Sequence, residues 1–354
     1  MRSYLAILCV ALFSAASVAA CIQSDDDAGE SRQQLVQDRG KVVCATLDDT
    51  PGFGFLDENG NHLGFDIDLC RAVAAAALGD ADAVELRAID AAERGPVMQA
   101  GEVDLLVFVT TWTSSRDASW GDFVTTMFYD GQGFMVPASL GVSSANSLGG
   151  ASVCTVAGTT SELNMEDFFR QNRMEYSPVI FETADLALDA YTNRTCDVYT
   201  TDRSTLAALR SSLPNPDEHM ILPEVISEEP LTPLVPHGDS QWFDIVKTVM
   251  AILIQGEALG VNSGNVSELT TSNNVKIKRL LGVEGSWGQA ELGLDPTVAQ
   301  TVIGTVGNYG EIYDRHLGTD GIGLPREGGR NALWADAPCG DCPKGGQIYA
   351  APLR

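Results

Sequence analysis

Basic residues are scarce in this chain. Its 354 residues include 22 Lys and Arg against 48 Asp and Glu, which gives a formal net charge of −26. Nucleic-acid binding relies on clusters of Lys and Arg that neutralise phosphates, and the sequence has no such cluster. The acidic residues are scattered along the chain, which is typical of a solvated surface. The composition therefore argues against a nucleic-acid partner.

The short motifs of common enzymes and metal sites are also missing. The sequence contains no GxSxG, no HExxH, no Walker A lysine loop and no GxGxxG opening a helix. Its four histidines lie far apart and without the spacing of metal ligands. These absences remove the simplest enzymatic hypotheses, and no metal or cofactor is expected. They leave convergent polar groups in a cleft as the default kind of site.

No hydrophobic run reaches the roughly 20 residues of a transmembrane helix. An apolar run from Leu5 to Phe13, followed by small residues, instead predicts an export signal over residues 1–20. The Val-Ala-Ala-Cys21 sequence is similar to a bacterial lipobox and predicts a lipidated Cys21, with ordinary cleavage before it as the alternative. Residues 21–39 are then expected to form a tether, with the protein in the periplasm or anchored at the outer cell surface.

The rest of the chain repeats an alternation of strand and helix patterns, which predicts an α/β protein with two lobes. The second lobe is expected over residues 132–233. A helical pattern from Gln241 to Leu259 is expected to return to the first lobe. That lobe is therefore discontinuous, over residues 40–131 and 234–300, and residues 301–354 form a C-terminal extension packed on it.

Eight cysteines in an exported chain predict disulfides and argue against metal thiolates. Two fall within each predicted lobe, and two more form a local CxxC. The expected bridges are Cys44–Cys70, Cys154–Cys196 and Cys339–Cys342. A zinc or redox interpretation of the CxxC would need a second ligand pair or a thioredoxin-like context, and the sequence provides neither.

One arginine follows the clearest strand pattern in the chain. The apolar run from Val103 to Val109 predicts a buried parallel strand, and it continues into Thr-Thr-Trp-Thr-Ser-Ser-Arg116. In open α/β sheets, ligands bind at the carboxyl ends of the strands. A guanidinium flanked by hydroxyls matches a carboxylate. Arg116 is therefore a candidate ligand-binding residue, and the alternative is a surface arginine in a polar loop.

Five short segments support a more specific interpretation. They are Gly64-Phe-Asp-Ile-Asp-Leu69, Gly101-Glu-Val-Asp-Leu105, Thr113-Ser-Ser-Arg116, Gly158-Thr-Thr160 and Asp197-Val-Tyr-Thr-Thr-Asp202. In this order and at these separations they resemble family 3 of the solute-binding proteins of ABC transporters. The resemblance to the branch of general L-amino-acid-binding proteins covers nearly the whole mature chain, and the four cysteines of the two predicted lobes match that branch too.

The resemblance implies a type II periplasmic-binding-protein fold. Each of its two lobes has a central sheet flanked by helices, and a two-strand hinge near residues 130–133 and 231–236 joins them. A ligand would lie between the lobes, which close around it and deliver it to a membrane permease driven by a separate ATPase. The protein is expected to be a monomer that binds L-amino acids, with broad or polar specificity and without turnover.

The resemblance also implies roles for individual residues. Arg116 and Thr111 would bind the α-carboxylate, helped by Thr160, while Asp202 would bind the α-ammonium. Phe53 would form an aromatic wall for the ligand's side chain, with a place in the lobe core as its alternative.

General physical chemistry supports these roles, because both charges of a buried zwitterion need partners. Thr159 and Thr160 precede a helix whose first amides favour an anion, although capping alone would also explain them. Asp202 has a similar alternative as the cap of the next helix. Asp66 and Asp68 are expected to cap a helix start.

Two features bear on specificity and on rival functions. The chain has Phe108-Val109 where close relatives are polar and Gly95-Pro96 where they have an aromatic residue, so the resemblance does not fix the ligand's side chain. The rival functions on the same scaffold are a periplasmic dehydratase or lyase and a ligand-sensing module. An enzyme would need an acid–base carboxylate in the cleft, and Glu162 is the nearest candidate, although a helix start lowers the pKa of an acid.

Overall fold

The computed structural model describes residues 31–326, 329–334 and 345–354. The predicted export signal over residues 1–20, the lipidation site at Cys21 and the Cys339–Cys342 bridge lie outside the described residues. Within the described part of the chain, no helix is both long and apolar enough to cross a membrane.

The described chain alternates short strands and helices. In chain order the strands are β1 (Val42–Thr46), β2 (Asp49–Thr50), β3 (Gly54–Leu56), β4 (His62–Leu63), β5 (Val84–Ala88), β6 (Leu105–Leu106), β7 (Asp122–Phe123), β8 (Phe128–Asp130), β9 (Gln132–Pro137), β10 (Ser152–Val156), β11 (Ser177–Phe181), β12 (Val198–Asp202), β13 (His219–Ile221), β14 (Glu229–Leu231) and β15 (Leu234–Val235). The helices are α1 (Arg32–Arg39), α2 (Phe65–Leu78), α3 (Arg94–Gln99), α4 (Ser114–Ser119), α5 (Thr160–Gln171), α6 (Ala184–Thr192), α7 (Arg203–Ser212), α8 (Ser240–Ala258), α9 (Val275–Leu280), α10 (Val298–Val306) and α11 (Tyr309–His316).

Two five-stranded sheets organise these elements into two lobes. The first sheet has the order β5–β1–β6–β15–β7, and the second has the order β11–β10–β12–β9–β13. In each sheet the first three strands of that order run parallel, and antiparallel strands complete it. The chain passes from the first sheet to the second through β8 and returns through β14. These two strands pair antiparallel, with Glu229 directly opposite Asp130.

The central strands are apolar because they are covered on both faces. All five residues of β1 and all six of β9 are buried. A disulfide joins Cys44 on β1 to Cys70 on α2, with Cα atoms 6.1 Å apart. A second disulfide joins Cys154 on β10 to Cys196 just before β12, with Cα atoms 5.9 Å apart. These two predicted bridges are confirmed.

The helix α8 belongs to the core of the first lobe, as its spacing of apolar residues predicts. Trp242, Ile245, Val249 and Leu253 are all fully buried in it. The helices α10 and α11 pack on α2 and α8, and the hydroxyl of Tyr309 on α11 donates to the carbonyl of Met127 at 2.8 Å. The described part of the C-terminal segment thus packs on the first lobe, while the boundaries assigned to each domain from the sequence stay predictions.

The helix α1 occupies part of the segment that the sequence predicted to be a flexible tether. Its residues Arg32 and Arg39 both pair with Asp104, which is fully buried beside β6 and also accepts the amide of Val43 at 2.7 Å. The side chain of Val36 is fully buried in the core of the first lobe. Composition suggested a linker, but two ion pairs to one buried carboxylate hold residues 32–39 on the lobe.

We expect removal of α1 to destabilise the first lobe, because it leaves the buried Asp104 carboxylate without its two arginines. A chain that begins at residue 40 should lose about 3 kcal/mol or more of unfolding free energy relative to one that begins at residue 31. Urea denaturation followed by circular dichroism measures the difference. Adding Asp104→Asn to the shorter chain should restore part of the loss, and equal midpoints for the two chains would show that α1 is dispensable.

Candidate functional site

A cavity of about 90 Å³ lies between the two sheets. It can hold several waters or a small solute, since one water needs about 10–15 Å³. The first lobe lines it with Leu47, Asp49, Thr50, Ile89, Asp90, Ala91, Arg94, Phe108, Val109 and Thr111. The second lobe lines it with Val156, Thr159, Thr160, Ser161, Thr183, Ala184, Tyr199, Thr201, Asp202 and Thr205. In both sheets these residues lie on or just after the parallel strands, which is where α/β sheets bind ligands.

Arg116 is buried beside this cavity but is not part of its lining. It is only 7 % exposed, and its guanidinium donates to the carbonyls of Thr111 (3.1 Å) and Gly158 (3.4 Å). The same group lies 4.7 Å from the centre of the Trp120 ring. Burial lowers the pKa of Arg116, while the negative charge of Glu229 acts in the opposite direction. The interpretation of Arg116 as a surface residue is therefore wrong, and its guanidinium contacts the second lobe.

The two threonines at the start of α5 both line the cavity, with different contacts. Thr159 is the N-cap: its hydroxyl oxygen accepts the amide of Glu162 at 3.2 Å and donates to the carbonyl of Val156 at 2.7 Å. Thr160 is the first helical residue, and its hydroxyl donates to Glu229 at 3.0 Å. Capping thus accounts for Thr159, whereas the side chain of Thr160 faces a carboxylate at the lobe boundary.

Asp202 lines the cavity and is not a side-chain cap. It stands at the N-cap position of α7, but its carboxylate makes no capping hydrogen bond. Asp130 takes over that role and accepts the amide of Ser204 at 3.2 Å. Burial raises the pKa of Asp202 well above its usual range, and the charges of Asp130 and Glu229 add to the effect. A cationic group in the cavity would relieve this repulsion.

The aromatic wall expected at Phe53 is not part of the cavity. Phe53 is 1 % exposed and packs edge-on against Phe65 and Phe128, with ring centres 6.4 and 5.4 Å apart. Its place is the core of the first lobe, among the buried side chains there. Trp112 stacks on Phe123 and is 44 % exposed, so it too lies away from the cavity lining.

Arg94, which no sequence motif indicated, lines the cavity itself. This residue follows β5 at the start of α3 and is only 4 % exposed. Its guanidinium donates to the carbonyls of Ala91 (2.8 Å) and Gly158 (3.3 Å). Burial lowers the pKa of Arg94 to about 9, and the charge of Arg116 adds to the decrease. Among the described residues, no ion pair joins either guanidinium to a carboxylate.

Trp120 lies against both arginines. The guanidinium carbon of Arg94 is 5.7 Å from the centre of its ring and that of Arg116 is 4.7 Å away. Gly95 leaves room for this ring, since a Cβ there would lie 2.6 Å from the indole nitrogen. The ring of Trp120, which directly follows α4, thus contributes cation–π stabilisation to both guanidinium groups.

Glu229 on β14 is a second residue that no sequence motif indicated. Its side chain is 2 % exposed and accepts hydrogen bonds from four side chains. The donors are Thr111, Thr160, Asn164 and Ser227. The sequence signal available for it was its position next to the predicted hinge at Leu231.

The cavity wall contains a strained residue at Val109. Its φ of +40° lies in the left-handed region, which is costly for a β-branched side chain. The amide of Val109 donates to Asp66 at 2.9 Å. Asp66 thus does not cap α2 with its side chain, and Asp68 pairs instead with Arg315 and His316 on α11. The predicted caps are instead tertiary contacts.

Glu162, the candidate acid–base group of the enzymatic alternative, is absent from the cavity lining. Its carboxylate accepts the amide of Gly158 at 3.0 Å, within the turn that precedes α5. Its carboxylate therefore serves the turn, and the residue does not line the cavity. The geometry therefore gives no support to Glu162 as a catalytic acid or base.

Sequence comparisons relate the chain to a known family. Residues 42–260 match the bacterial extracellular solute-binding proteins, family 3. The general L-amino acid-binding periplasmic protein AapJ of Rhizobium johnstonii is 46 % identical over 90 % of this chain and 92 % of its own length. The glutamate/glutamine/aspartate/asparagine-binding protein BztA of Rhodobacter capsulatus is 42 % identical over 97 % of this chain and 99 % of its own length.

A solved structure is similar over nearly the same range. It is an ABC transporter periplasmic binding protein from Brucella ovis with glutathione bound. The two chains are 43 % identical, and the match has a TM-score of 0.87 over 92 % of this chain and 100 % of the other. The similarity confirms the predicted type II periplasmic-binding-protein fold.

We expect Asp66→Asn to stabilise the protein at pH 8 but not at pH 4. Burial raises the pKa of Asp66 to about 7 from 3.8, so the folded state holds its proton more tightly than the unfolded state. Stability is therefore highest below pH 4 for this group and falls as the pH rises towards 7. Asparagine can still accept the Val109 amide without this penalty, worth at most about 4 kcal/mol. Chemical denaturation of both proteins across this pH range measures the difference, which should stay constant if Asp66 ionises normally.

Proposed function

This chain belongs to family 3 of the bacterial extracellular solute-binding proteins, and we propose that it captures L-amino acids in the cavity between its lobes for an ABC transporter. One observation carries the proposal. Both lobes wall a single cavity, and buried groups of opposite charge, Arg94 and Asp202, line it together. A zwitterion that leaves water needs a partner for each charge, and this cavity offers both.

The α-carboxylate has cationic and helical partners. Two buried guanidinium groups, those of Arg94 and Arg116, lack ion pairs among the described residues, and an anion would supply the missing charge. Thr160 and Ser161 in the first turn of α5 also line the cavity, where helix amides and the helix dipole favour an anion. Arg116 is the first candidate because the family resemblance implies it for this role and its guanidinium is buried beside the cavity, which leaves Arg94 in the lining for a second ligand group.

The α-ammonium has Asp202 as its partner. This carboxyl has a raised pKa because it is buried next to other acids. An ammonium group would stabilise the ionised form, so we expect the ligand to displace a proton when it binds. The hydroxyls of nearby Thr201 and Thr205 belong to the same wall of the cavity.

The transport role includes partners beyond the ligand. We propose that the closed protein docks on a membrane permease, as the family's relationship to ABC transporters suggests. Lipidation of Cys21, a monomeric state and the lack of catalytic turnover complete this proposal. Each rests on the sequence analysis, and the similarity to binding proteins along almost the whole chain supports the non-catalytic role.

We predict that calorimetric titration of the refolded, ligand-free protein gives one-to-one heats with several L-amino acids. Arg116→Gln and Asp202→Asn should each weaken binding by about 30-fold or more, since losing one partner of a buried charge pair costs about 2–5 kcal/mol. Arg170→Gln on the exposed face of α5 is the matched control and should bind normally. An absence of heat with every L-amino acid in the wild-type protein would reject the proposed ligand class.

The second arginine makes a prediction about the ligand's side chain. Arg94 lines the cavity, so a second carboxylate or a side-chain amide on the ligand would meet it. The names of BztA and of the glutathione-bound structure are consistent with such ligands. We therefore propose that this protein favours acidic and amide amino acids over apolar ones.

Arg94→Gln should weaken binding of L-glutamate about tenfold more than binding of L-alanine, because a hydrogen bond to a charged group is worth about 1.5–3 kcal/mol. Arg94→Lys should retain part of the preference because the positive charge remains. The same calorimetric titrations measure both ligands. Equal losses for glutamate and alanine would mean that Arg94 contacts only the groups common to all amino acids.

A further inference from the structure

One buried carboxylate connects the hinge to both lobes. Glu229 lies on β14, one of the two strands that link the sheets. One of its oxygens accepts hydrogen bonds from Thr111 of the first lobe and Thr160 of the second. The other accepts from Asn164 on α5 at 2.7 Å and from Ser227. A single side chain therefore holds groups from both sides of the cleft.

The protons of the two threonines limit what they can do for a ligand. Each hydroxyl has one proton and two lone pairs. When Thr111 and Thr160 both donate to the same oxygen of Glu229, neither has a proton left for another acceptor. Their oxygens lie 3.4 Å apart at the cavity boundary, and both residues line the cavity. Towards the cavity they therefore present lone pairs, which accept from an N–H group and repel a carboxylate.

We propose that Glu229 is a positioning residue that latches the two lobes together and orients the hydroxyls of Thr111 and Thr160 as acceptors for the ligand's ammonium group. The inference rests on the proposed function for the ligand's identity but not for the latch. It revises the expectation that these two hydroxyls bind the α-carboxylate. That group is left to the guanidinium groups and to the amides at the start of α5.

The electrostatic surroundings fit this role. Asp130 faces Glu229 across the β8–β14 pair, and burial raises the pKa of Asp130 to about 6. Asp202 belongs to the same acidic group, and Arg116 is the nearby cation. A ligand ammonium placed among these acids would add a positive charge where negative charges repel one another. Ligand binding and closure of the latch should therefore reinforce each other.

The test compares Glu229→Gln with a matched control, Glu224→Gln. Glu224 is also partly buried, and its carboxylate accepts from Ser144 and from the amide of Ala145, both within the second lobe. Lobe separation is followed by single-molecule energy transfer between dyes on unnatural amino acids at Glu58 and Gln171, which are exposed on opposite lobes. Thermal melts verify that both variants fold.

Without ligand, Glu229→Gln should shift the open-to-closed ratio about tenfold towards open, as expected for the loss of hydrogen bonds to a charged acceptor. Glu224→Gln should match the wild type. Combining Glu229→Gln with Thr160→Val should add little to either single change, because both remove the same contact. If Glu229 only stabilised the fold, Glu229→Gln would lower the melting temperature but would show no such coupling to Thr160→Val in the open-to-closed ratio.

L-glutamate titrations complete the test. Glu229→Gln should weaken glutamate binding, and added glutamate should close the variant again at a higher concentration. An unchanged distribution of transfer efficiencies in ligand-free Glu229→Gln would overturn the latch. If the wild-type protein binds no amino acid, the proposed function fails, but the ligand-free comparison still decides whether Glu229 holds the lobes together.

Discussion

Two buried guanidinium groups of the first lobe, those of Arg94 and Arg116, donate to one backbone oxygen of the second, the carbonyl of Gly158. A carbonyl dipole offsets only part of two buried positive charges, and the described residues add no ion pair. An anionic ligand group in the adjoining cavity would supply the missing negative charge most directly. The same contact keeps the lobes close, so the affinity for an anion and the closed arrangement share one cause.

The opposite side of the cleft carries buried negative charges. Asp202, Asp130 and Glu229 are buried near one another, and burial together with mutual repulsion raises the pKa of the first two. A cleft with buried cations that lack ion pairs among the described residues on one side, and buried acids that repel one another on the other, is suited to a molecule that carries both signs. The hinge passes through the acidic side, because Asp130 and Glu229 lie on the paired strands β8 and β14. A ligand charge in the cleft would therefore lie close to the strands that connect the two lobes.

The failures of sequence reasoning have a common origin. Arg94 stands after β5 just as Arg116 stands after β6, yet only the second was chosen, because the first lies in an ordinary helical pattern. Phe53 was expected on the cavity because the family resemblance implied an aromatic wall there, with the lobe core as its alternative, and its packing against Phe65 and Phe128 places its ring in the core. The helix at residues 32–39 was mistaken for a tether because its stability comes from Asp104, about 65 residues further along the chain.

The sequence by itself determined the α/β class, the family, two disulfides and the participation of Thr111, Thr160 and Asp202 in the cavity. Those features depend on local hydrophobic periods and on motifs whose residues lie at the ends of strands. The tertiary structure decided which groups converge: Arg94 beside Arg116 at Gly158, and Glu229 between the two threonines. Such contacts join residues that are 42 to 118 positions apart, and no local pattern encodes the distance between side chains that meet only when two sheets face each other.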